Sequence, residues 1–71
     1  MKPLLFRVVK RKLQAAGFVQ VSQRGSHVKF KKATPSRTFV TVVPHHPDVS
    51  AGTIRSILNQ AGLTPEEFNA L

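Results

Sequence analysis

Arg24-Gly25-Ser26-His27-Val28-Lys29-Phe30-Lys31-Lys32 is the stretch on which the fold of this chain turns. Arg24-Gly25 is a turn signal, and the residues after it alternate as a half-buried strand requires. Successive strand side chains point to opposite faces, so His27, Lys29 and Lys31 share one side while Ser26, Val28 and Phe30 share the other. The second set can bury. The first aligns an imidazole, able to exchange protons near neutral pH, with cations that attract phosphate, a combination suited to ribonuclease-like chemistry.

Working outward, Phe18 to Gln23 is rich in β-formers and reads as a strand that makes a hairpin with Ser26 to Lys32. After the loop Ala33-Thr34-Pro35-Ser36-Arg37, the β pattern resumes over Thr38 to Val43, and Pro44 ends it. The three runs predict an antiparallel meander. Upstream, Leu5, Val8 or Val9, Leu13 and Ala16 recur at three-to-four spacing, which predicts an amphipathic helix over Lys2 to Ala16 with Pro3 in its first turn. Lys10, Arg11 and Lys12 fall in its second half, where cations meet the negative end of the dipole, and Gly17 stops it.

Downstream of the loop Pro44 to Val49, Ser50 or Thr53 can cap a helix whose apolar positions are Ile54, Ile57, Leu58 and Ala61, with Gly62 as its stop. Thr64-Pro65-Glu66-Glu67 is a capping-box pattern, so Pro65 to Ala70 reads as a short terminal helix pinned back by Phe68 and Leu71. The expected architecture is α+β, in the order α-β-β-β-α plus a small helix, with both longer helices on one face of the sheet and residues 1–71 as one domain.

Composition narrows the partner. The 71 residues carry 11 Lys and Arg against 3 acidic residues, a formal net charge of +8 that a folded core must push onto a small surface. A polyanion is the expected partner, nucleic acid first because its binding releases counterions, with an acidic protein compatible alongside. With no cysteine there is no disulfide framework, and three histidines alone make a poor structural zinc site. The first residues, Met1 to Phe6, run straight into Arg7, Lys10, Arg11 and Lys12, which is not the apolar stretch of a signal peptide or membrane span; a cytoplasmic protein is expected.

Four pieces in order, Gly17-Phe18, Gly25-Ser26-His27, Val43-Pro44-His45-His46 and Gly52-Thr53-Ile54-Arg55-Ser56-Ile57-Leu58, resemble the HicA family of toxin mRNA interferases over nearly the whole chain. The resemblance implies a fold like a double-stranded-RNA-binding domain, RNA cleavage that blocks translation, and neutralisation by a HicB-like antitoxin. It also implies that His27, in the Gly-Ser-His motif, is the catalytic residue, and that His46 matches the family's Pro-x-His pattern.

Beside His27, the residues themselves offer Lys29 and His46 as auxiliary candidates. Lys29 lies two positions on, at about 7 Å by strand rise, so its stem can reach the same phosphate. His46 can shape the site or assist proton transfer, or merely anchor its loop. Adjacent histidines such as His45 and His46 rarely offer both rings to one ion, and few acids or thiols stand near them, so no metal and no cofactor is expected. Ser26 and His27 point to opposite faces, which speaks against a nucleophile pair. Lys10, Arg11, Lys12, Arg24, Lys29, Lys31 and Lys32 are candidates for RNA-backbone contacts that are independent of sequence. The rival reading from another class is a non-catalytic double-stranded-RNA-binding module on the same basic surface; a ribosome- or nucleoid-associated structural protein ranks below both.

Overall fold

A computed structural model describes residues 1–71. In chain order the elements are β1 (Leu4–Leu5), α1 (Phe6–Ala15), β2 (Val19–Arg24), β3 (His27–Ala33), β4 (Thr38–Pro44), β5 (Asp48–Val49), α2 (Ala51–Ala61) and α3 (Pro65–Asn69). The expected α+β meander is present: β2, β3 and β4 form an antiparallel sheet in that order. Along β3, Val28 and Phe30 are buried while His27, Lys29 and Lys31 are exposed. The inner side of the sheet, with Val43 of β4, meets Val9 and Leu13 of α1 and Ile54, Ile57, Leu58 and Ala61 of α2 in one hydrophobic cluster. Both longer helices therefore cover one face, and the His27 side of β3 stays open.

Three local expectations need correction. The first helix starts at Phe6, not Lys2, because Leu4 and Leu5 are extended and pair with Val49 and Asp48 as a two-stranded ribbon. That ribbon also overturns the reading of Pro44 to Val49 as loop throughout. A helical period cannot reveal such a pairing, since its partner lies more than forty residues away. Third, Ser26 is a turn residue: Arg24 pairs with His27, so Gly25 and Ser26 are the two central residues of the hairpin. Gly25 alone takes positive φ, +59°, as a two-residue turn with glycine in first position requires.

The caps explain why the helices stop and start where they do. Ser50 Oγ accepts the Thr53 N–H at 3.3 Å to open α2, and Gly62 closes it in the left-handed region at φ 69°. There the chain runs so close to Phe39 that an added Cβ would lie 2.5 Å from the ring. The capping box of α3 is complete, with Glu67 accepting the Thr64 N–H at 2.8 Å and Thr64 Oγ1 accepting the Glu67 N–H at 3.1 Å. It fixes the turn that buries Phe68 completely.

Thr41 is the single buried polar residue. Its hydroxyl donates to Gln60 Oε1 at 2.8 Å, and the Val42 N–H donates to the same oxygen at 3.3 Å, so α2 caps the outer edge of β4. No helix is long and apolar enough to cross a membrane.

Candidate functional site

The outer face of the sheet is built in cross-strand rows. Val19, Lys31 and Val40 form one; Ser22, Lys29 and Val42 the next; Arg24, His27 and Pro44 the last, beside the hairpin turn. Directly opposed residues on one face have Cβ atoms about 5 Å apart, so the three strands bring five of these side chains together. Ser22, Arg24, His27, Lys29 and Val42 line an open depression of ≈ 320 Å³. Every charged group in it is basic. An imidazole, a guanidinium and an ammonium thus share one hollow with a hydroxyl and an apolar wall, an arrangement able to hold a phosphodiester and move a proton.

A β-bulge makes this possible. Simple alternation from buried Phe18 would send Arg24 to the helix side, yet a two-residue turn requires Arg24 to face the same way as His27. The register shift between Gln20 and Ser22 leaves Val21 as the extra residue and reconciles the two demands. Ser22 and Val42 are site residues that the sequence reading misses. Val42 is legible from the period of β4; Ser22 is not, because the bulge reverses the face it occupies.

The other candidates disperse. Lys31 stays on the outer face, one row beyond Lys29. Lys32 is on the opposite side, half-buried, with its ammonium 6.0 Å from the Phe18 ring centroid and its stem against Gly17. Lys12 is engaged in packing: Nζ donates to the main-chain oxygens of Phe68 and Leu71, each at 3.1 Å, and lies 5.2 Å from the Phe68 centroid. Lys10 and Arg11 sit on α1, in the helix layer across the sheet from His27.

His45 and His46 belong to a second cavity of ≈ 390 Å³, lined by Leu5, Phe6, Arg7, His45, His46 and Pro47. His45 stacks on Phe6, with centroids 4.1 Å apart and planes inclined by 28°, and its Nδ1 is 3.4 Å from Gln23 Nε2. Its backbone N–H donates to the Ser26 carbonyl at 2.6 Å, which ties the end of β4 to the hairpin turn. His46 is exposed in that cavity rather than among the residues lining the His27 depression. No group of three His, Cys, Asp or Glu side chains comes together that could hold a metal ion.

No curated protein matches the chain at a significant level. Residues 6–63, however, match the family described as the HicA toxin of bacterial toxin-antitoxin. Since that match runs from the first residue of α1 through the end of α2 and so takes in the whole meander, the chain belongs to the HicA toxin family.

Proposed function

We propose that this toxin acts as a metal-independent endoribonuclease, with His27 as its catalytic residue, and that an acidic HicB-like antitoxin silences it by covering the same face. The observation that carries the reading is the position of His27: exposed, on a rigid central strand, between Arg24 and Lys29 in a hollow without a carboxylate. In the cleavage step the 2′-oxygen of the RNA attacks the adjacent phosphorus as the P–O5′ bond breaks, leaving a 2′,3′-cyclic phosphate and a 5′-hydroxyl. His27 takes the proton of the 2′-hydroxyl or delivers one to the departing 5′-oxygen, and solvent water exchanges the other proton. Lys29 and Arg24 stabilise the charge that grows on the non-bridging oxygens, and Lys31 continues the cationic track along the strand.

The basic outer face also suits an acidic inhibitor, because a protein that neutralises these cations removes the RNA's footing as well as its access. The test is His27→Ala in purified full-length protein. The side chain lies outside the core, so the unfolding midpoint should stay within experimental error while cleavage of a long RNA and growth arrest on induction are lost and RNA binding survives. Wild-type protein that binds RNA without cutting it at any pH between about 6 and 8, where an imidazole changes charge, would favour the binding-module reading instead.

A further inference from the structure

We infer that Gln23 and His45 are positioning residues: from the helix side they clamp the Gly25-Ser26 turn so that Arg24 and His27, one at each end of it, are presented together to a phosphate. This role rests on the ribonuclease reading and adds to it how the two groups are kept in register. Arg24 needs holding. It is the last residue of β2, a strand exposed along its whole length and paired on one side only, and the ends of such strands open more readily than the centre of a sheet.

Arg24 pairs with His27 and only Gly25 and Ser26 join them, so the guanidinium and the imidazole stand together only while the turn keeps its shape. Glycine, here at φ +59°, confers little stiffness of its own. The carbonyls of both turn residues are instead held by neighbours. Gln23 Nε2 donates to Gly25 O at 3.1 Å, and the His45 backbone N–H donates to Ser26 O at 2.6 Å. The two holders also meet each other, with Gln23 Nε2 3.4 Å from His45 Nδ1. An amide nitrogen only donates, so Nδ1 accepts and the proton of the neutral ring is on Nε2. One amide group thereby gives its two hydrogens to the turn and to the ring.

The His45 ring is in turn seated on Phe6, which opens α1, the helix that places Val9 and Leu13 in the core. Contacts therefore run without a break from the core helix through Phe6, His45 and Gln23 to the turn. Gln23 is opposite buried Val28, and His45 returns to the helix side because Pro44 before it pairs with His27 on the outer face. Both act through the backbone, behind the site, and leave the His27 hollow free for RNA. A reacting group misplaced by about 1 Å can cost about 100-fold in rate, which sets the scale of the effect.

The test uses full-length protein and a long all-ribose RNA, with kcat expressed per folded molecule and the order of the turn read from hydrogen exchange at the His45 amide. Gln23→Met keeps the stem and removes both donors. It should lower kcat about 10- to 100-fold, leave KM within about 2-fold, speed exchange at the His45 amide and leave the urea midpoint in place, since the lost bonds are exposed. His45→Phe, which keeps a ring for Phe6 but offers no acceptor, should lower kcat in the same sense but less. It should add nothing to Gln23→Met in the double variant, because the two act through one contact. His45→Asn, whose amide oxygen is carried on the γ-carbon as Nδ1 is, should recover most of what His45→Phe loses.

A Gln23→Met protein with wild-type kcat, or with a raised KM in place of a lowered kcat, would overturn the clamp. So would a double variant whose loss is the product of the single ones, or a His45→Asn protein no better than His45→Phe. If the wild-type protein cuts no RNA, the nuclease reading falls and exchange alone decides the clamp: a faster His45 amide in Gln23→Met upholds it, and an unchanged one overturns it.

Discussion

Lys12→Ala should destabilise the protein and leave its grip on RNA unchanged, the reverse of what a lysine in the run Lys10-Arg11-Lys12 suggests. Nζ makes two hydrogen bonds, to Phe68 O and Leu71 O, across 56 and 59 residues of sequence. A hydrogen bond involving a charged group contributes about 1.5–3 kcal/mol, and the lower end applies because Lys12 is only half-buried, so the pair contributes about 3 kcal/mol. Holding a lysine side chain in one conformation costs up to about 2 kcal/mol, partly offset by the ammonium over Phe68 at about 0.5–1. A net loss near 2 kcal/mol follows. For a chain of this size that is a fall of about 8–16 °C in Tm, or about 2 M in the urea midpoint at a slope near 1 kcal/mol/M.

The paired assay is RNA affinity across a salt series. Removing Lys29 and Lys31 together, both exposed on the His27 face, should flatten the salt slope by up to about 2, one for each phosphate no longer neutralised, without moving the urea midpoint. Lys12→Ala should do the opposite, and Lys12→Met, which keeps the stem but removes both hydrogen bonds, should recover only a minor part of the stability. A Lys12→Ala protein that kept its midpoint within about 0.3 M while losing as much salt-dependent affinity as the Lys29 and Lys31 pair would refute the assignment of Lys12 to packing.

Other expectations concern stability and pH. Gly62→Ala should cost more than about 2 kcal/mol, because it adds left-handed strain of about 1–2 kcal/mol to a Cβ 2.5 Å from the Phe39 ring, whereas Gly25→Ala, also at positive φ but with open space around it, should cost only the strain. Equal urea midpoints for the two variants would show that Phe39 moves aside freely. Glu67 is held below its ordinary 4.5, first by the Thr64 backbone N–H and then by the Thr64 side chain, with the Lys32 charge a smaller contributor. A depressed carboxylate stabilises fully above its unfolded value and loses that contribution as pH falls through the lower folded value, so stability should decline from about pH 4.5 downward. Glu67→Gln should flatten that decline in urea midpoints measured between about pH 3 and 6; an unchanged decline would place its origin elsewhere.

The features legible from the residues alone are local. Alternation along β3 put Val28 and Phe30 inside and His27, Lys29 and Lys31 outside, because the period of a strand is a property of the backbone and needs no partner. The caps at Ser50, Gly62 and Thr64 were legible for the same reason: each satisfies donors or a dihedral within a few residues. The His27 motif, too, is contiguous.

Which distant groups share a surface follows from contacts between segments far apart in the chain. The ribbon of Leu4–Leu5 with Asp48–Val49 shortened α1 from a start that periodicity alone placed at Lys2. Lys12, Lys32 and Lys31 look alike as sequence, yet one binds the carbonyls of Phe68 and Leu71, one lies over Phe18, and one faces solvent on the candidate RNA side. A lysine's charge is fixed by its chemistry, but its role depends on what its flexible stem can reach. The bulge at Val21 is the sharpest case. Phe18 had to enter the core and Arg24 had to stand beside His27, and an odd residue between them is the only way a strand of period two can meet both demands, a conflict that exists only once the helix layer and the hairpin have both been placed.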